Sequence, residues 1–258
     1  VDVKKIAQML YEAEKKPEQV SAPTAAYPGM TIEDAYAVQL ENIGRKLNQD
    51  GERLIGMKVG LTSKAMQKLL GVNEPDYGHL TDRMLLLEGA PCECSKLLQP
   101  KVEGELAFCL DKPLKGPGVT LADVYNATAW VVPSIEIVDS RVKDWKITLA
   151  DTVADNGSSA MLVLGSAMRP VKDVDMRLTG MTLEKNGELI NSGAAAEVLG
   201  NPAAAVAWLA NKLSEFGIGM EAGSIVLAGA LTAAQPAVPG DSFTVSFQGM
   251  GSISLRFV

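Results

Sequence analysis

Residues 99–110 read QPKVEGELAFCL, and the fold follows from taking this stretch as a strand. Side chains two apart in a strand share a face, so Glu103 and Glu105 project together. Gly104 between them lets another backbone or a ligand approach closely. Two carboxylates side by side repel, and one takes up a proton unless a cation lies between them. A half-exposed strand with a polar face would give the same pattern, and these two residues alone do not choose between the readings.

Working outward, strand-like runs alternate unevenly with helices. Arg53 to Leu61 reads as a strand carrying one lysine, followed by a short helix from Ser63 to about Leu70. Val102 to Leu110, Trp130 to Asp139 and Met161 to Leu164 are strand-like, with a short helix opened by Thr120-x-x-Asp123 between the first two. MTLEKNGELI offers two alternating runs about Asn186-Gly187, a hairpin signal. Asn201-Pro202 starts a helix as N-cap and first residue, and Gly217 closes it. Ser224–Leu227, Ser242–Phe247 and Ser252–Val258 finish the chain as strands.

The first fifty residues read as helical. Residues 3–16 form a polar amphipathic stretch, and a second helix starts at the capping box Thr31-x-x-Asp34. Its apolar residues Ile32, Tyr36, Leu40, Ile43 and Leu47 recur at steps of three and four, and Gly51 ends it. Such interleaving does not suit a doubly wound sheet. It predicts an α+β fold, a large mixed sheet curled into a roll or partial barrel. Residues 1–50 are expected to form a helical segment packed on the core, and residues 51–258 a β-rich domain that holds any site.

With 47% hydrophobic and 21% charged residues, the chain has the composition of a globular protein with a sizeable core. A formal net charge of −7 argues against nucleic acid or an anionic membrane as partner, since both need clustered positive charge. No run approaches the roughly 18 apolar residues of a membrane span. The N-terminal stretch lacks the apolar core of a signal peptide, and three cysteines do not make a disulfide framework, so the cytoplasm is expected.

In VVPSIEIVDSR, Glu136 sits between Ile135 and Ile137 in an apolar run. A carboxylate there must reach solvent or find a partner, because burying a lone charge costs several kcal/mol. Three glutamates on strands, offering oxygen only, describe a hard-cation site for Mg²⁺ or Mn²⁺. One histidine and three cysteines offer zinc little, and Cys92-x-Cys94 lacks zinc spacing. Lys58, bracketed by Gly56 and Gly60, is either an outward lysine on an alternating strand or one turned into a pocket. There it would bind a carboxylate or move protons. In NEPDYGHLTD, the residues Pro75, Asp76 and Gly78 mark a tight loop. Asp76 is then an Asx-turn residue or a general acid–base group. His79, the single histidine, reads as structural or exposed, and no G-x-S-x-G, Walker A or strand-linked GxGxxG is present.

The combination GMKVGLTSKAMQ, EPDYGHLTD, QPKVEGELAF, VPSIEIVDSRVKDWK, DTVADNGSS and GMGSISLRFV resembles one enzyme family. It is that of the 2-oxopent-4-enoate (2-hydroxypenta-2,4-dienoate) hydratases and 4-oxalocrotonate decarboxylases, in the fumarylacetoacetate hydrolase-like superfamily. The likeness runs from about Ile32 to Val258. It implies a β-rich roll, with Mg²⁺ or Mn²⁺ on Glu103, Glu105 and Glu136. It also implies that Lys58 lies in the active site, with Asp76 and Ser158 facing the substrate. A lyase of catechol meta-cleavage breakdown is expected, a homo-oligomer acting on a small 2-oxo or 2-hydroxydienoate acid. The PDYG and VKDWKI…DTVADN wording looks like the hydratases. The C-terminal AGS, LTAA, VPGD and FQGMGS lean toward the decarboxylases. Active-site wording outweighs a distal strand, so hydration is the expected reaction and decarboxylation of a 2-oxo-3-enedioate the alternative. A non-catalytic protein that binds metal and a 2-oxo acid is a weaker alternative, since no motif residue is lost.

Overall fold

The computed structural model describes residues 1–258, apart from the side chains of residues 69 and 70. Its α-helices are α1 (Val3–Lys15), α2 (Pro23–Ala26), α3 (Ile32–Asn48), α4 (Lys64–Leu70), α5 (Leu121–Ala127), α6 (Leu149–Ala154) and α7 (Pro202–Ser214). The strands are β1 (Leu54–Gly60), β2 (Asp76–Thr81), β3 (Leu85–Leu86), β4 (Lys101–Leu110), β5 (Thr128–Val138) and β6 (Ser159–Leu164). They continue with β7 (Gly180–Lys185), β8 (Glu188–Ala194), β9 (Ile225–Ala230), β10 (Gln235–Pro236), β11 (Ser242–Phe247) and β12 (Gly251–Arg256).

The large sheet runs β2-β1-β9-β4-β5-β6-β3, with β10 added on β4. Its β1–β9 and β3–β6 pairs are parallel and the others antiparallel. The small sheet, β12-β11-β7-β8, is antiparallel throughout. This is the expected α+β roll with a mixed sheet.

Local signals in the sequence set the element ends. Capping boxes form at Thr31/Asp34 and Thr120/Asp123, and a third at Thr148/Asp151 opens α6. Asn186 and Gly187 take φ values of 55° and 81° between β7 and β8, as a two-residue hairpin of matching twist requires. The Asn201 side chain accepts from the Ala203 N–H at 2.9 Å, with Pro202 opening α7. Gly51 and Gly217 are left-handed as expected, but each lies two residues beyond the helix cap, Gln49 and Glu215 respectively.

Register sorts the large sheet into two faces, because residues directly opposite in a ladder share a face. Lys58 lies opposite Gly78 and Leu227, and Leu227 opposite Ala107. Glu103 lies opposite Glu136, and Gly60 opposite Asp76. Counting by twos along each strand then puts Lys58, Asp76, Glu103, Glu105 and Glu136 on one face. On the other face Val102, Leu106, Phe108, Ile135 and Ile137 join one apolar cluster with Val206 and Leu209 of α7 and Phe243 and Val245 of the small sheet. Truncating a side chain such as Phe108 in that cluster costs about 3–5 kcal/mol. A Cβ on Gly104 would come 2.9 Å from Val245 Cγ1 and 3.2 Å from Met181 Cε. The small sheet, not a ligand, is what approaches at Gly104.

The helical layer covers the β2 end of the sheet. Ile6, Ala7, Leu10, Tyr36 and Val38 share the main cluster with Val59 and Tyr77, and Tyr36 stacks on Tyr77 at 4.5 Å between centroids. Gln39, buried on α3, donates to the carbonyls of Tyr77 at 3.0 Å and Val153 at 2.8 Å, so it ties β2 to α6. Among the described residues no helix is long and apolar enough to cross a membrane.

The structure corrects the loop expected over NEPDYGHLTD. Residues 76–81 are β2, buried along their whole length. Pro75 marks the entry to the strand, and Gly78 is not a turn glycine. It is the cross-strand neighbour of Lys58, where the absence of a side chain leaves room for another segment.

Candidate active site

In the strand order β1-β9-β4-β5, three strand spacings separate β1 from β5, about 14 Å in a flat sheet. Yet Lys58 Nζ lies 3.4 Å from Glu136 Oε1. The curl of the sheet and the length of the lysine close that gap, and the charged face becomes the inside of a bowl.

Glu103, Glu105 and Glu136 offer carboxylate oxygens that all lie within 4.8 Å of one another. Glu103 is half-buried, whereas Glu105 and Glu136 are fully buried. Glu105 Oε2 accepts from the Gly229 backbone N–H at 2.8 Å. Both oxygens of Glu136 are buried without a hydrogen bond, and the Lys58 ammonium stands at ion-pair distance from one of them. Burial, then the charge of Glu136, pushes the Glu103 carboxyl up to about 7 and Glu105 well above the carboxylate range. One ammonium does not neutralise three carboxylates. Orphaned Glu136 oxygens and an all-oxygen donor set fit a hard divalent cation.

Lys58 and Asp76 flank this trio. Burial alone would lower the Lys58 pKa, but the surrounding carboxylates, Glu136 foremost, outweigh it and hold the ammonium protonated. Burial raises the Asp76 carboxyl against the pull of Lys58, and its Oδ1 has no hydrogen-bond partner. A Cβ on Gly60 would clash with Asp76 Oδ1 and come 3.5 Å from Lys58 Nζ, so Gly60 makes room for both groups, whereas Gly56 makes room for the backbone of Ile225.

The other sequence candidates sit differently. Ser158 is buried, its Oγ 3.4 Å from Thr152 Oγ1 and 3.5 Å from Asp155 Oδ2. His79 is buried, not exposed, its Nδ1 2.9 Å from Gln39 Oε1, and burial depresses its pKa to about 4. All three cysteines are free.

Residues 155–157, to which the sequence assigns no role, form with Ser158 a tight turn over β2. Asn156, Gly157 and Ser158 have φ values of 56°, 61° and 55°, three left-handed residues in succession. Asn156 Oδ1 accepts from the His79 N–H at 2.8 Å and its Nδ2 donates to the His79 carbonyl at 2.9 Å. Behind the turn, Arg141 and Asp155 form a buried ion pair through Nε and Oδ1, and the Arg141 backbone N–H donates to Asp155 Oδ2 at 3.0 Å. The segment DTVADNGSS carries the signal for this turn, an Asp-Asn-Gly run directly after an apolar helix.

The chain belongs to the fumarylacetoacetate hydrolase family: the family model described as fumarylacetoacetate (FAA) hydrolase C-terminal matches residues 78–258. It is 46% identical to a 2-hydroxyhexa-2,4-dienoate hydratase of Comamonas testosteroni, over 97% of this chain and 95% of that one. It is 43% identical to a 4-oxalocrotonate decarboxylase of Pseudomonas putida, over 98% and 96%. A solved structure of 4-oxalocrotonate decarboxylase from Pseudomonas putida G7, complexed with magnesium and adipate, superposes with a TM-score of 0.96. It is 41% identical and covers 99% of this chain and 97% of its own. Hydratases and decarboxylases are both lyases.

Proposed function

We propose that the chain is a metal-dependent lyase that adds water to 2-hydroxypenta-2,4-dienoate or a close homologue, giving a 4-hydroxy-2-oxo acid. The observation that carries hydration is Asp76, a buried carboxyl with an unpartnered oxygen next to an ammonium, on the face that bears the three glutamates. Water addition needs a group to take a proton from water and deliver one to carbon, and Asp76 is built for that exchange.

Glu103, Glu105 and Glu136 would hold the cation, Mg²⁺ first and Mn²⁺ as the other candidate. When bound, a divalent cation supplies Lewis-acid chemistry to a chelating 2-oxo acid. Lys58, held as an ammonium, binds an anionic oxygen of the substrate and passes a proton along the conjugated chain. The Ser158 hydroxyl makes only long contacts, which leaves it available to a substrate oxygen.

Decarboxylation of a 2-oxo-3-enedioate is the second reading, supported by the decarboxylase structure with its TM-score of 0.96. The test is a paired assay of the Mg²⁺-loaded protein. Loss of the ultraviolet absorbance of the dienol follows hydration, and CO₂ release from 2-oxohex-3-enedioate follows decarboxylation. Hydration is the faster reaction on this account; CO₂ release without loss of the dienol would overturn it.

A further inference from the structure

The ammonium of Lys58 ends a long, flexible stem inside a crowded site. What holds such a stem is a question of its neighbours, and the turn at residues 156–158 is one of them. A Cβ on Gly157 would lie 2.6 Å from Lys58 Cε and 3.4 Å from its Nζ, so Gly157 packs directly on the end of the lysine stem. The turn reaches that position because Gly78, opposite Lys58, has no side chain either: a Cβ there would clash with the Asn156 carbonyl oxygen. Two glycines on different segments thus make one slot.

The turn is held in a conformation that costs energy. Left-handed backbone costs a non-glycine residue roughly 1–2 kcal/mol, and Asn156 and Ser158 both adopt it. Strain of this kind persists only where surroundings over-determine it. Here they do. Asn156 takes both backbone groups of His79, the Asp139 N–H donates to the Ser158 carbonyl at 2.7 Å, and Arg141 Nη1 donates to the Ser159 carbonyl at 3.3 Å.

We propose that Asn156 and Gly157 are positioning residues for Lys58: the anchored left-handed turn presses on the lysine stem and fixes where its ammonium sits against Glu136. This rests on Lys58 acting in the reaction. Without the turn the stem gains rotamers and the ammonium is misplaced during turnover, although cation and substrate still bind.

The test compares two glycine variants in the Mg²⁺-loaded enzyme. Gly157→Ala adds a left-handed alanine and a clash with Lys58. Gly187→Ala adds a left-handed alanine in the β7–β8 hairpin, where nothing lies within 4 Å of the new atom. Backbone strain is common to both, and only the first touches the lysine. Gly157→Ala is expected to lower kcat about tenfold or more with KM changed less than about threefold, whereas Gly187→Ala leaves both unchanged. A crystal structure of Gly157→Ala should show Lys58 Nζ moved from Glu136, and in a Lys58→Met background the Gly157→Ala change should cost no further activity. Unchanged kcat in Gly157→Ala, an unmoved Lys58, or a full additional loss in the double variant overturns the proposal. If Gly157→Ala does not fold, Asn156→Ala decides, since it removes the anchor and adds no atom: kcat lowered with KM kept supports the proposal, and unchanged kcat overturns it. Full turnover in Lys58→Met alone would instead remove the role of the lysine itself, a separate failure.

Discussion

Glu103 and Glu136 face each other directly across the β4–β5 ladder, two carboxylates paired in register inside the sheet. Like charges directly opposite destabilise a sheet, and burial makes the repulsion worse. The arrangement makes physical sense when a cation joins them, with Glu105 closing the third side.

Glu105→Gln tests that reading at the residue with a backbone anchor. Gln keeps the volume and can still accept from Gly229, so the unfolding midpoint should stay near wild type. Mg²⁺ affinity should fall on the order of 100-fold, and metal-stimulated turnover should be lost. Full turnover in this variant would sink the three-glutamate site.

Cation binding should release protons. Without a cation, burial and the neighbouring carboxylates push Glu103 up to about 7 and Glu105 well above the ordinary carboxylate range, so at pH 6 the site holds protons that a metal must displace. Mg²⁺ affinity is therefore expected to rise from pH 6 to pH 8. Calorimetric titration in buffers of different ionisation heat measures the release, and no buffer dependence at pH 6 would contradict it.

His79 gives a pH effect on stability of the opposite origin. Its folded pKa of about 4 lies below the unfolded value near 6.5, so between these the unfolded chain binds more protons. Its contribution is fully present above pH 6.5 and is lost as pH falls toward 4, a change of about 3 kcal/mol. Denaturation of His79→Gln against wild type across pH 4–7 should show a shallower acid slope in the variant. Equal slopes would mean that the imidazole is protonated in the folded protein.

Arg141 and Asp155 are both buried, at 4% and 3% exposure. Removing one partner strands the other, so Asp155→Ala should cost about 3–5 kcal/mol in urea unfolding. A loss under 1 kcal/mol would show that water replaces the pair.

Asp76→Ala should slow hydration by about a hundredfold or more while shifting Mg²⁺ affinity far less. An unchanged hydration rate would take Asp76 out of the reaction.

The sequence exposed some of this better than the rest, for physical reasons. Capping boxes and the Asn186-Gly187 turn are local chemistry, so they were readable where they stood. Glu103 and Glu105 shared a face by strand period alone, but Glu136 opposite Glu103 is a matter of register between strands, which local pattern does not set. The segment around Asp76 misled because Pro75 and Gly78 look like turn residues. Gly78 is there to admit the Asn156 turn from a distant part of the chain. Gly104 admits a close approach by another backbone or a ligand on sequence grounds, and what fills that place is the side chains of Val245 and Met181 of the second sheet. The role of Asn156 was hidden for the same reason, since its partner His79 is 77 positions away.

The most direct measurement is anomalous diffraction at the manganese edge from crystals of the protein soaked in Mn²⁺. A single strong peak should appear among the carboxylates of Glu103, Glu105 and Glu136, within coordination distance of all three. A peak elsewhere, or none at saturating Mn²⁺, would contradict the account at its centre.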